Sequence, residues 1–510
     1  MTRSAISADE VFTARGVIGE AVVVENGRVV EVTTRQQLGD IDVVHHPGAT
    51  ILPTFVDSHF HPLGYAALLS GISLKEAAGI PELVETVADA ASNRGSGAIT
   101  AHRFDDTTLG RMPSRLDLDL ACTDRPVLIS RYCGHVAVAN SAALQLAGVG
   151  STTADPAGGS IDRDDDGSPT GVLRETAIAL VADAMGHLVP PPDDRAVLAA
   201  LQGLLPLGIT RMTAIVAAGD PVGCRVGAEL DTLCRLARDL PMDIDVLVIA
   251  DAPADLRAAA DQVGAAGGRL RFWGWKDFAD GSFGGHTAAM WEPFADRDTT
   301  GTLRLRPDHA VEMTRTVLDL GGVAALHAIG DRAIDGVLDV YDRVLADGAD
   351  PNSLRIEHVS VPTAGAITRL ATTGVVASIQ PSFVSSEGGW VRARLGPSRR
   401  PYPFATMEAA GVRMVAGSDC PVERPDPLAG VISAVTRPGW SDDQHVTPES
   451  AVGFFSDNAF EHLGLQQPLS SGAPAGLVVV RGEPASPHSV IEEVYVGGLA
   501  TAHAKGTWPG

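Results

Sequence analysis

The chain is poor in several things, and each shortage excludes something. Its 510 residues include only five cysteines, at 122, 133, 224, 234 and 420. That number is odd, the positions are scattered and no CxxC occurs, so neither a disulfide framework nor a cysteine zinc knuckle is expected. Reduced thiols imply a cytoplasmic location. No apolar run reaches the roughly 18 residues of a membrane helix, and no apolar stretch follows Met1-Thr2-Arg3-Ser4-Ala5, so no secretory signal is read there. Basic residues are short as well: 39 Lys and Arg against 63 Asp and Glu give a net charge of −24. Nucleic acid and anionic membranes are thereby disfavoured as partners. A small-molecule substrate remains the expected partner, and a homodimer is compatible with this composition. The apolar fraction of 45% and charged fraction of 20% are those of a globular protein large enough for more than one domain.

Both ends of the chain read as strands. "EAVVVENGRVVEVTT" carries Asn26-Gly27 between two β-branched runs, the signature of a hairpin. "GLVVVRGE" and "VIEEVYVGGLATAHAKG" close the sequence in the same style. A small β-domain built from residues 1–50 and 475–510 is expected. Between them, short apolar runs alternate with amphipathic stretches such as 307–320 and 331–347. Eight candidate strands fall at 51–57, 208–215, 244–250, 271–278, 323–328, 354–359, 375–380 and 413–418. Strands alternating with helices imply a parallel sheet, and eight units fit a closed (β/α)8 barrel over residues 51–474. The first gap is too long for one helix, so an insertion over about 64–205 is expected to cover the strand ends. Its acidic run Asp162 to Asp166 lacks the bidentate Glu of a calcium loop and reads as an exposed turn.

The strand ends hold the chemistry. His59 and His61 end the first, Lys276 lies on the fourth, His327 and His358 end the fifth and sixth, and Asp419 follows the eighth. Any one buried histidine is ordinarily a core residue satisfied by a hydrogen bond. Four histidines and a carboxylate at four strand ends of one barrel are ligands that a divalent ion accepts, zinc first. Lys276 enters such a set only when deprotonated, as a carbamate formed with carbon dioxide; pairing with Asp277 or Asp280 is the plainer alternative. Cys420, with no base but ligands beside it, reads as a small structural residue. Ser282 lacks the strand–turn–helix context of a nucleophile elbow.

"DSHFHP", "KDFADGSFGGHTAAM", "LHAIGDRAID", "RIEHVS", "ASIQPSF" and "AGSDCPVERPDPL" resemble, in that order, the motifs of the amidohydrolase superfamily. Within it the chain is similar to the family 3 branch, the one that includes N-substituted formamide deformylase, over roughly residues 8–500. The resemblance implies a distorted TIM-like barrel with a β-sandwich made from both termini. It implies that His59 and His61 bind a buried ion, that carboxylated Lys276 bridges to a second held by His327 and His358, and that Asp419 binds metal and handles protons. One or two ions are compatible with it. The implied reaction is hydrolysis of a non-peptide C–N bond (N-formyl, N-acyl or cyclic amide) by metal-activated water, with Asp419 as proton shuttle. Deamination, ester or lactone hydrolysis and decarboxylation are alternatives on the same scaffold, and a non-catalytic homologue is a third. Two positions depart from the branch: Cys133-Gly134-His135 stands where Asp-Gly-His is common, and His286 where Arg is common. His135, His286, Glu175 after "GVLR", and Trp390 in the loop 382–400 are the candidate substrate contacts.

Overall fold

A computed structural model describes residues 3–93, 97–131, 136–156, 159–175, 177–188, 191–218, 229–441 and 443–501. Eight parallel strands follow one another around a barrel: Phe55–Phe60, Ile209–Ala217, Asp243–Ile249, Leu270–Phe278, Val323–Ala328, Leu354–His358, Val376–Ile379 and Met414–Ala416. They are called barrel strands 1 to 8 below. The chain just past strand 8 returns to strand 1. Asp419 N–H donates to His59 O, and His61 N–H to Cys420 O, both at 2.8 Å. The (β/α)8 architecture read from the alternation is therefore present.

These strands are apolar on both faces because both are covered. Val56, Ile215, Leu247, Trp273, Val323, Val376 and Val415 fill the barrel interior, with Ala459 and Leu463 packed against them. Outward residues such as Val246, Leu326, Ile356 and Met414 join the large core beneath the surrounding helices. Helix Asp331–Ala346 shows why it sits there. Ile334, Val337, Leu338, Tyr341 and Val344 recur at helical spacing and are all buried. The Tyr341 hydroxyl reaches the carbonyls of Ala324 (3.0 Å) and Arg355 (2.8 Å), fastening the helix to strands 5 and 6.

The apolar run at 51–57, read as the first barrel strand, is divided. Asp42–Pro53 belongs to a different sheet, and barrel strand 1 begins at Phe55. Ile51 packs into the core of that other sheet, so hydrophobicity continues across the boundary and does not mark it. That sheet has seven strands, four from the N-terminal segment and three from the C-terminal one. Asp42–Pro53 pairs on one side with Arg3–Thr13 and on the other with Gly476–Arg481. Asn26 and Gly27 both take positive φ, 53° and 76°, at the turn between Gly16–Glu25 and Arg28–Thr33.

Between barrel strands 1 and 2 the chain builds a third sheet of six strands drawn from residues 72–175, with its own core around Leu83, Phe104, Leu118 and Ile129. Helix Pro62–Ser70 leads into it, with Pro62 in the first turn where no N–H is needed. The acidic run lies at the hairpin turn of this sheet, closed by Gly167 N–H to Asp164 O at 2.8 Å. Among the described residues no helix is long and apolar enough to cross a membrane.

Candidate metal centre

His59, His358 and Asp419 are buried, and one ligand atom from each lies within 4.8 Å of the other two. His61 joins them from the same strand end: its Nε2 and that of His59 both stand 3.2 Å from Asp419 Oδ1. The two imidazoles, two residues apart, lie side by side as alternation along a strand requires, their ring centroids 5.5 Å apart. Strand 1 holds one more residue than strand 2 between the pairs Asp57–Met212 and Phe60–Ala214, a bulge that re-aims side chains next to the site. His327 completes the histidine group. Its ring centroid is 4.4 Å from that of His358, which in turn is 4.9 Å from His59.

Three of the histidines are oriented from behind. Glu357 Oε2 accepts from His59 Nδ1 at 2.6 Å, Gln380 Oε1 from His358 Nδ1 at 2.7 Å, and Gly281 O from His327 Nε2 at 2.9 Å. Such outer acceptors fix the tautomer and leave the other ring nitrogen with its lone pair. Asp57 steadies the seam below. Its carboxylate accepts from Ser418 N–H (2.9 Å), Ser418 Oγ–H (2.6 Å) and His59 N–H (3.2 Å). Asp280 accepts the N–H groups of Ala289, Ile329 and Gly330 at 2.8–3.0 Å, tying together the loops after strands 4 and 5. Asp419 and His358 take positive φ, 58° and 77°. Strain of that kind gathers at functional sites.

The electrostatics suit a cation. Burial pushes the His59 imidazolium down, yet Asp419 and Glu357 outweigh it and hold its pKa up at about 9. Burial opposes ionisation of Asp419, and the histidines beside it still keep its carboxyl well below the usual range. Burial, with His327 adjacent, keeps His358 neutral, and burial likewise lowers His61. The Asp419 carboxylate beside the neutral imidazoles of His61 and His358, with a His59 proton that a bound cation would displace, makes a donor set that divalent zinc and its neighbours take. The residues fit such an ion.

Lys276 is buried on strand 4, with Nζ 3.6 Å from the Phe278 ring centroid and donating to the Asp277 carbonyl at 3.1 Å. Phe278 in turn lies 5.4 Å from the His327 ring. Lys276 thus borders the histidine cluster with its ammonium turned to an aromatic face. Cys420 is fully buried, and burial keeps its thiol well above the usual range, so it supplies no nucleophile.

The candidate substrate contacts are placed unequally. His135 falls outside the described residues. Glu175 ends strand Pro169–Glu175 and its backbone pairs with Gly159; its side chain is outside the description. His286, at φ 54°, donates through Nε2 to Asp296 Oδ1 at 3.0 Å and packs edge-on against Phe294. Trp390 precedes the short helix Val391–Leu395, under the Arg394 guanidinium at 5.0 Å. Arg394 also donates to the Phe283 and Gly284 carbonyls, so the segments carrying His286 and Trp390 are joined to each other. Glu357, Arg355, Gln380 and Asp57 are assigned no site role by the sequence motifs, and Asp280 is marked there only as a possible partner of Lys276. The signal available was a charged or amide residue on an otherwise apolar strand, which burial obliges to find a partner.

A family model described as the amidohydrolase family matches residues 45–500. Among curated proteins, YtcJ of Bacillus subtilis (strain 168) is 29% identical over 496 residues, covering 91% of each chain. N-substituted formamide deformylase of Arthrobacter pascens is 27% identical over 509 residues, 92% of this chain and 91% of its own. Among solved structures, an uncharacterized metal-dependent hydrolase from Pyrococcus furiosus matches with a TM-score of 0.73 and 27% identity, covering 95% of this chain and all of that one.

Proposed function

This chain belongs to the amidohydrolase family, and from that premise we propose that it hydrolyses a non-peptide carbon–nitrogen bond in an N-formyl, N-acyl or cyclic amide at the centre around Asp419. The observation that carries the reading is the convergence of His59 Nε2 and His61 Nε2 on a single Asp419 oxygen, each at 3.2 Å, with His358 in the same cluster. His59, His61, His358 and Asp419 would hold a divalent cation, zinc first among candidates. Such a cation makes water acidic near neutral pH and polarises a carbonyl oxygen.

The protein's own residues supply the rest. Asp419 takes the proton from the attacking water and returns it to the leaving nitrogen, serving as base and then acid. The backbone of Asp419 is pinned to His59 and its neighbour Ser418 to Asp57, so the carboxylate does not need to reorganise between the two transfers. His59 is sealed, whereas the His61 side chain keeps 23% of its surface, so substrate approaches from the His61 side. A second ion would draw on His327 and on Lys276 as its carbamate. One ion needs neither.

Metal analysis of the purified protein, followed by a screen of N-formyl, N-acyl and cyclic amides after reconstitution with zinc or manganese, tests the reading. Bound divalent metal and amide turnover are expected. Protein that carries no metal and stays inert on every amide after reconstitution overturns it. Turnover confined to esters, lactones or amino-purine-like deamination substrates moves the same centre to a different bond.

A further inference from the structure

Arg355 and Glu357 are two residues apart on barrel strand 6 and so share the face that also meets Ser58 and Ser378. Neither has measurable exposure. Arg355 holds Glu357 through both Nε and Nη2, and the same Nη2 also donates to the Ser58 carbonyl and to the Ser378 hydroxyl. The guanidinium lies 5.2 Å from the Trp273 ring, on the apolar filling of the barrel. Glu357 turns its other contact outward to His59 Nδ1 at 2.6 Å.

A buried ion pair is weak evidence for stability, because apolar residues of the same volume often serve as well or better. Its presence here needs another reason, and its contacts supply one. Strand 6 is joined through Arg355 to strand 1 at Ser58 and to strand 7 at Ser378, and through Glu357 to the imidazole of His59. We infer that Arg355 and Glu357 are positioning residues of the metal centre: the pair fixes His59 as an Nε2 ligand and raises its affinity for the ion. The inference rests on the reading of that centre as a metal site.

The neighbouring ligand gives an internal contrast. His358 is oriented by the neutral amide of Gln380. A neutral acceptor fixes a tautomer equally well, but a carboxylate behind the ring also makes the ligating nitrogen more basic. His59 is therefore the stronger of the two imidazole ligands, and its support comes from the charge of Glu357. Arg355 is what allows that charge to stand in the interior, by a bidentate fork that Lys cannot reproduce.

The test compares wild type, E357Q and R355K, each stripped of metal and titrated with Zn(II) against a chromophoric chelator. A control, L338A, removes a buried side chain from helix Asp331–Ala346, outside the centre. E357Q is expected to bind Zn(II) roughly 10- to 100-fold more weakly than wild type, R355K more weakly by a smaller factor, and L338A equally despite a lower Tm. Co(II) bound to E357Q should give a visible spectrum altered from that of wild type. An E357Q affinity within about twofold of wild type overturns the inference, as does a fall in Tm with no change in affinity, since that would make the pair structural only. If E357Q does not accumulate folded, R355K decides by the same criterion. A wild type that takes up neither ion overturns the metal reading itself, an outcome distinct from equal binding by the variants.

Discussion

Gly417 stands between barrel strand 8 and Asp419, and replacing it with alanine is a severe and local perturbation. A Cβ there would sit 2.3 Å from the backbone nitrogen of His59, 2.8 Å from His59 Cβ and 2.9 Å from Asp57 Oδ1. Ordinary contact begins at 3.4 Å, so the shortest of these falls short by 3.4 − 2.3 = 1.1 Å. The nearest of the three is a backbone atom and the second is the Cβ fixed on that same backbone, so no rotamer change relieves the clash. Moving strand 8 away by that amount would take the Asp419 N–H to His59 O bond from 2.8 Å to about 3.9 Å, beyond hydrogen-bond range. It would also loosen the bonds from Ser418 to Asp57, a buried carboxylate. Overpacking costs about 1–3 kcal/mol and an orphaned buried polar group about as much again, so a total near 3 kcal/mol is expected, several degrees in Tm. The clash lies at His59, one of the two ligands that share Asp419 Oδ1, so Zn(II) affinity should fall together with Tm. Scanning calorimetry and metal analysis of Gly417→Ala measure both. Wild-type Tm with wild-type metal content would refute the reasoning, because it would mean that strands 1 and 8 are not held at this spacing.

Three further expectations are separable from that one. Asp419→Asn keeps the shape of the side chain and removes its basicity; turnover on any amide substrate should fall by roughly 10²–10⁴-fold with the circular dichroism spectrum unchanged, and near-normal turnover would exclude the proton-carrier role. His102, on strand Ile99–Phe104 of the insertion, is held down to a pKa of about 4 by burial, with Arg103 adding to the effect. The unfolded chain takes up that proton below about pH 6.5 while the folded one resists to about 4, so stability present at neutral pH is lost as pH falls through this window. His102→Gln should therefore lose less Tm between about pH 7.5 and about pH 5 than wild type, and identical losses would count against it. Gly264 lies inside helix Pro253–Ala266, with nothing within 4 Å of where a Cβ would stand. Gly264→Ala should raise stability by about 0.5–1 kcal/mol in a denaturant titration without altering activity.

Much of the frame was legible because it rests on local signals. Strand 5 shows an apolar run ending in His327, and the helix after it shows a clean buried stripe from Ile334 to Val344. A parallel barrel places such strand ends together, so listing the residues at the ends was enough to assemble His59, His61, His327, His358 and Asp419. Strand 1 was misplaced because Ile51 and Phe55 are equally buried in two different sheets. The bulge between Asp57 and Phe60 left no mark, since a register shift is a property of two strands and not of one. The supporting layer was hidden for a related reason. Glu357 stands beside His358 in the sequence, but its partner His59 is 298 residues away. A buried carboxylate announces that it needs a donor without saying which.

Asp57 and Ser418, the carboxylate and hydroxyl that clasp the barrel seam, are 361 residues apart. At about 5–20 residues per second on the ribosome, the eighth strand emerges roughly 20 to 70 s after the first. Throughout that interval Asp419 is missing from the proposed ligand set, and the histidines already made stand on strands that have no closed ring to hold them. The carboxylate that completes the set arrives with the same few residues that shut the barrel. On the proposed ligand set, ion capture would follow closure of the barrel and not template it, and a chain truncated before Ser418 would lose the seam and the ligand in one stroke.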